Sequence, residues 1–129
     1  MNGKISIDTD IAIKFLNGDK TIDSFLSQYS EFFLPVIVVG ELIFGALNSK
    51  HPEQNLARHK KLIQRARLLE ITETTADIYA RTRLILKKNG KPIPENDLWI
   101  ASVCIENKVT LISNDRHFRY IDSLRLESL

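Results

Sequence analysis

At 129 residues, with 43% hydrophobic and 26% charged side chains, the chain has the make-up of one soluble globular domain over residues 1–129. A domain of that size buries about two thirds of its unfolded surface and needs no disulfide staple. No apolar run approaches the roughly 18 residues that span a bilayer, and MNGKISIDTD has no basic segment leading into an apolar core and cleavage site. The one cysteine sits in an apolar stretch, which excludes a disulfide framework, so the expected location is the cytoplasm. A net charge of +2 leaves any nucleic-acid binding to uneven distribution of charge.

Residues 4–7 form a short β-prone run ending at Asp8, and Asp10 offers an N-cap for a helix carrying Ile11, Ala12, Phe15 and Leu16. Asp8 then stands at the carboxyl end of a strand, the edge where open α/β sheets bind ligands, although acids also occupy such turns without function. Gly18 closes the first helix. The next, over residues 20–29, sets Ile22, Phe25, Leu26 and Tyr29 at i, i+3, i+4 and i+7 as ordinary core. A second strand over residues 32–34 stops at Pro35, and VIVVGELIFGALNS follows as a helix in which Gly40, Gly45 and Ala46 allow close packing. Val38, Glu41, Leu42 and Gly45 share one stripe, so Glu41 is an acid among apolar neighbours. A dry, isolated charge there costs on the order of several kcal/mol unless paired or metal-bound, and no lysine or arginine lies within a turn of it.

After the His51-Pro52 loop, residues 54–67 read as a helix with Leu56, Leu62, Ile63 and Ala66 inward. Its remaining surface carries Arg58, His59, Lys60, Lys61, Arg65 and Arg67, a face that suits a phosphate backbone but also resembles many merely solvated helix faces. Residues 68–71 form a third strand. A long helix from Thr74 or Thr75 to Asn89, closed by Gly90, places Ala76, Tyr79, Ala80 and Leu84 inward.

The stretch PENDLWIASVC supplies Pro94 and Asn96 as start signals for a helix beginning near Asp97. Asp97, Ile100, Ala101 and Cys104 fall on one stripe, while Leu98, Trp99, Val103 and Ile105 fill the other directions. A helix apolar on nearly every side is an inner helix or a subunit interface. Its acid either favours the helix dipole or does chemistry. Residues 109–112 have the aliphatic make-up of a buried parallel strand and lead into Ser113, Asn114 and Asp115; His117 and Phe118 follow, and residues 124–126 close the sheet. Alternating strands and helices predict an α/β fold, a parallel sheet with helices on both faces.

Asp8, Glu41, Asp97 and Asp115 are thus four acids with apolar neighbours near strand ends or helix starts. Brought together they repel, unless they serve protons or cations. Magnesium is the economical partner, a hard ion that keeps several waters and takes one or two carboxylates directly while others order the waters, with manganese as an alternative. Such a site activates water for attack on phosphorus.

The motifs IDTD, GELIFGA, NDLWIA and LISNDRHF, in that order over nearly the whole chain, resemble those of the PIN-domain family, and more closely its VapC-type toxins of toxin–antitoxin pairs. The resemblance implies a three-layer α/β/α fold with a five-stranded parallel sheet of order 3-2-1-4-5. It also implies a magnesium-dependent endoribonuclease acting on structured RNA such as transfer RNA, a homodimer, and inhibition by a cognate antitoxin. Carried over by position, Asp8, Asp97 and Asp115 are metal ligands and Glu41 completes the catalytic cluster.

Departures are Asp10, where these toxins often have Asn or Ser, Val38, where a hydroxyl residue is frequent, and Ser113 in place of a frequent threonine. Asp10 reads as a helix cap, His117 as structural or supporting, and Trp99 and Cys104 as packing. RNA affinity is expected from Arg58, Lys60, Lys61 and Arg65, and the dimer interface from residues 98–105. A haloacid-dehalogenase-like phosphatase using Asp8 and Asp10 is the rival enzyme, but it expects threonine where Ala12 stands and a paired-acid motif after a late strand. A non-catalytic RNA- or protein-binding module of the same fold is opposed by four acids set against a phosphate track.

Overall fold

Runs of two or three residues make weak strands singly, so the sheet here depends on burial of its central strands. The computed structural model describes residues 3–129. It contains β1 (Ile5–Ile7), α1 (Thr9–Leu16), α2 (Lys20–Leu26), β2 (Phe33–Pro35), α3 (Val36–Leu47), α4 (Pro52–Arg65), β3 (Arg67–Leu69), α5 (Glu73–Lys88), α6 (Glu95–Asn107), β4 (Thr110–Ile112), a 3-10 helix (Arg116–Tyr120) and β5 (Leu126–Glu127). The five strands form one parallel sheet of order β3-β2-β1-β4-β5 between two helical layers, as expected. Central β1 pairs Ile5, Ser6 and Ile7 with Thr110, Leu111 and Ile112, and its three side chains are all buried. Because every strand points the same way, the carboxyl ends of β1 and β4 lie side by side.

Helix α1 starts directly at the end of β1, so the cap is Asp8 rather than Asp10: Asp8 Oδ1 accepts from the Ile11 N–H at 2.9 Å, and Asp10 sits exposed in the first turn. In α3, Val38, Leu42 and Ala46 are buried, but Gly40 and Gly45 face outward, and a Cβ at either would meet nothing within 4 Å. Of the three small residues, Ala46 alone serves close packing. His59 of α4 is buried as well, donating its Nδ1–H to the Leu42 carbonyl at 2.8 Å, so it does not belong to the basic surface.

The rotation of α5 differs from the expected one. Thr72 caps it, Thr75 closes a capping box, and both hydroxyls donate to Glu106 at the far end of α6. Those bonds turn Thr75, Thr82 and Leu86 inward with Tyr79 partly covered, and leave Ala76, Ala80 and Leu84 exposed. Helix α6 begins two residues earlier than Asp97, at Glu95, with Pro94 at the cap position and no capping side chain. It is an inner helix. Leu98 and Ile100 through Cys104 are buried, Trp99 stacks on Tyr79 with ring centroids 3.9 Å apart, and burial pushes the Cys104 thiol up to about 12. The apolar side chains of α6 are therefore covered within one chain. The most exposed large apolar side chains among the described residues lie on α3 (Phe44, 66%; Leu47, 56%) and α5 (Leu84, 52%; Ile85, 58%).

Glycine inside an exposed helix costs about 1 kcal/mol relative to alanine. Gly45→Ala is expected to raise stability by about 0.5 to 1 kcal/mol in urea denaturation. A fall would reveal a neighbouring surface packed against Gly45.

Candidate active site

Where β1 and β4 end, the Asp8 N–H donates to the Ile112 carbonyl at 3.3 Å, which ties the first acid to the last acid's strand. Asp8 is 5% exposed. Its Oδ1 is the α1 cap, and its Oδ2 accepts a short hydrogen bond from Ser113 Oγ. The same hydroxyl accepts from the Asp115 N–H at 3.0 Å, so Ser113 fixes two acids at once. Burial raises the Asp8 carboxyl above its ordinary range, the bonds from Ser113 and Ile11 work against this, and the charges of Asp10 and Asp115 add to it.

Asp97 enters from the first turn of α6, and Asp115 from the loop after β4, its Oδ1 accepting from the His117 N–H at 2.9 Å. One ligand atom from each of Asp97, Asp115 and His117 falls within a 4.8 Å span. His117 Nδ1 lies 2.9 Å from Asp115 Oδ1 and 3.8 Å from Asp97 Oδ2. Those are ion-pair distances without hydrogen-bond alignment, and this buried nitrogen has no hydrogen-bond partner among the described residues. The Asp97 carboxyl is pushed up to about 6, first by burial and then by the charges of Asp115 and Glu41, with His117 opposing and Asp8 adding.

Glu41 reaches the cluster from the second turn of α3. Thr9 Oγ1 donates a short bond to its Oε1, and Asn96 Nδ2 donates to its Oε2 at 3.1 Å. Asp8, Thr9, Asp10, Glu41, Asp97 and Asp115 line one open cleft of about 150 Å³. All four predicted acids therefore converge, with Asp10 on the rim. Thr9, Asn96 and the double role of Ser113 escape a reading of the sequence alone, although a hydroxyl or amide beside each acid in IDTD, PEND and ISND is a visible signal.

The cations of α4 lie elsewhere. Arg58 donates to the Leu16 carbonyl at 2.5 Å, at the far end of α1, and the Arg65 guanidinium stands 5.7 Å from the Phe15 ring. The Arg67 N–H bonds Phe32, at the start of β2. Helix α4 thus runs toward the edge where strands begin, and the structure does not bring Arg58, Lys60, Lys61 and Arg65 to the acidic cleft. A larger cleft of about 310 Å³ flanks α6 on its other side, but it holds one carboxylate, Glu95, and no converging acids.

The donor set fits a hard divalent cation: several carboxylates, room for water, and neighbours whose negative charge already disfavours ionisation of Asp97. The carboxylates suit magnesium and manganese alike, and the imidazole of His117 lies beside them. Asp8 is a poor nucleophile for the phosphatase chemistry, since both of its oxygens are already hydrogen-bonded.

Comparison with known proteins agrees with this geometry. The PIN domain pattern matches residues 5–124. Ribonuclease VapC2 of Haemophilus influenzae is 30% identical over 128 residues, 97% of each chain. The tRNA(fMet)-specific endonuclease VapC of Shigella flexneri is 26% identical over 127 residues, 96% of each chain. A DNA-bound VapBC structure from Salmonella typhimurium superposes with a TM-score of 0.93 at 26% identity, covering 98% of each chain.

Asp97 also sets a pH dependence. The fold favours its protonated form, so its contribution to stability is complete below the ordinary value of 3.8 and is lost as pH rises through about 6. Urea denaturation in chelator between about pH 4 and pH 7 should show the parent losing on the order of 1 to 3 kcal/mol relative to Asp97→Asn. Parallel pH profiles for the two proteins would make Asp97 a simple helix-start residue.

Proposed function

The chain belongs to the PIN-domain family as a VapC-type ribonuclease, a nuclease acting on phosphodiester bonds, and from this premise we infer magnesium-dependent endonucleolytic cleavage of structured RNA such as tRNA. The observation that carries the reading is the convergence of Asp8, Glu41, Asp97 and Asp115 in one cleft. Asp8, Asp97 and Asp115 are the residues that would hold the cation, and His117 stands beside them. A divalent cation there supplies positive charge to phosphate oxygens and lowers the pKa of water.

The protein's own part is positioning. Ser113 and the Ile11 N–H keep Asp8 in one orientation, so its remaining lone pairs point in a fixed direction. Glu41, held by Thr9 and Asn96, is a fixed acceptor that orders an attacking water and takes its proton as oxygen bonds to phosphorus. His117 Nδ1 lies against Asp115 and near Asp97, so its ring is a supporting neighbour of the residues that would hold the cation.

The toxin–antitoxin setting assigns a protein inhibitor, and the cytoplasm, where tRNA is found, is the proposed location. Among the described residues no helix is long and apolar enough to cross a membrane. A homodimer is proposed through the exposed apolar residues of α3 and α5 rather than through α6.

Purified protein free of antitoxin should cut total tRNA with magnesium or manganese, stop in chelator, and lose activity to background in Asp97→Asn. Saturating magnesium, at about one hundred times its dissociation constant, should stabilise the parent by about 2.7 kcal/mol and Asp97→Asn far less. Cleavage that survives chelator, or the Asp97→Asn change, would contradict the reading. Light scattering at micromolar concentration should return twice the chain mass, and a Phe44→Glu, Leu84→Glu double variant should return the monomer. A parent that is already monomeric removes the dimer.

A further inference from the structure

The cleft on the other flank of α6 has no assigned role, and its chemistry matches a nucleotide. Helices α5 and α6 run antiparallel: Thr75 meets Glu106 near one end, Tyr79 stacks on Trp99 midway, and Arg83 faces Glu95 at 3.7 Å near the other. The carboxyl end of α5 therefore lies beside the first turn of α6, at the same sheet edge as the acids. On a helix, Glu95 lies about 160° round the axis from Asp97 and Leu98 about 100°, so both point away from the flank that carries Asp97. Two clefts thus straddle one helical turn, about 10 Å apart. One is acidic. The other, about 310 Å³, is lined by Arg83 and Lys87 along its wall, by Leu86, Ile93 and Leu98 beneath, and by Glu95 at the side facing α6.

We propose that this α5–α6 cleft is a subsite for one nucleotide of the RNA, next to the phosphodiester being cut, with Lys87 and Arg83 on its phosphate and Glu95 on its base. The proposal rests on the ribonuclease reading and goes beyond it by naming where the flanking strand lies. An RNA backbone laid over four carboxylates needs cations close by, and those of α4 are at the opposite sheet edge. Lys87 is exposed, and neither an ion pair nor a hydrogen bond engages its ammonium among the described residues. Lys91 extends the cationic rim toward the 3-10 helix that carries His117, its ammonium 5.0 Å from the Tyr120 ring.

The floor suits the nucleoside. Leu86 and Leu98 are each 2% exposed and form a firm apolar base, with Ile93 partly covered above them. Glu95 gives the cleft a direction. Tyr79 Oη–H donates a short bond to its Oε2, and Arg83 holds the same tyrosine oxygen at 2.7 Å, while Oε1 has only Arg83 at 3.7 Å and accepts no hydrogen bond among the described residues. A fixed carboxylate oxygen with free lone pairs accepts from a base amino group, such as cytosine N4, and repels the O4 that uracil presents at the same place.

The test measures binding apart from cleavage, by fluorescence anisotropy of labelled oligonucleotides on the full chain carrying Asp97→Asn, across a salt series. Adding Lys87→Gln should weaken binding several-fold and flatten the log–log salt slope by about 0.7, the value for one phosphate that is no longer neutralised. Replacing Lys60, Lys61 and Arg65 together with Gln should leave the slope unchanged. Oligocytidine should bind several-fold more tightly than oligouridine, and Glu95→Gln, whose amide both donates and accepts, should level that preference. An unchanged slope in Lys87→Gln, or weakening confined to the α4 variant, overturns the subsite while leaving the nuclease intact. A base preference indifferent to Glu95→Gln overturns the reading of that residue. If the parent with Asp97 neither cuts nor binds RNA, the ribonuclease reading itself fails and the subsite falls with it.

Discussion

Mutual repulsion among carboxylates gathered at one edge of a parallel sheet is the constraint on which this molecule is built. Burial first raises the Asp97 carboxyl to about 6, and the charges of Asp115, Glu41 and Asp8 add to that rise. Neutral donors hold the cluster together rather than lysine or arginine partners. Ser113 serves Asp8 and Asp115, the Ile11 N–H serves Asp8, and Thr9 and Asn96 serve Glu41. Neutral donors fix orientation without cancelling charge, so the negative potential remains available to a cation. A set of salt bridges would have stabilised the empty site and blocked it.

Helix α6 is where stability and chemistry meet. Its buried side chains, from Leu98 through Cys104, touch strands and helices on several sides, which anchors the helix whose first turn carries Asp97. The same turn presents Glu95 to a second cleft on the opposite flank, with Arg83 and Lys87 beyond it. One helical turn therefore separates an acidic cleft from a cationic one. The rotation of α5, fixed by the Thr72 and Thr75 bonds to Glu106, brings those cations to the right edge.

How much of this the sequence discloses depends on distance along the chain. The strand ends at Asp8 and Asp115, the acid inside the stripe of α3, and the apolar wrap of α6 are local patterns, and each is readable along with a parallel sheet covered by helices, whereas the strand order comes from the family resemblance. The hydrogen bonds that turn four acids into one site are not local: they join residues 32, 55 and 105 positions apart, and no periodicity announces them. The face of α5 is ambiguous because Ala76, Ala80 and Leu84 form as regular a stripe as Thr75, Thr82 and Leu86, and only Glu106 on another helix decides for the second. Asp10 loses the cap to Asp8 because β1 runs straight into α1 without a linker. The face of α4 is cationic as its sequence indicates, but its place at the strand-start edge follows from Arg67 pairing with Phe33, which depends on the sheet.

The claim that the four acids form one cation site is tested most directly by locating the ion itself. Crystals equilibrated with manganese and measured at its absorption edge would yield an anomalous difference map free of any assumption about activity. The account predicts a peak within coordination distance, about 2.0 to 2.3 Å, of carboxylate oxygens from Asp97 and Asp115, with Asp8 ligating directly or through water. A saturating soak that leaves this cleft without a peak, or places the ion at Glu95 instead, would contradict it.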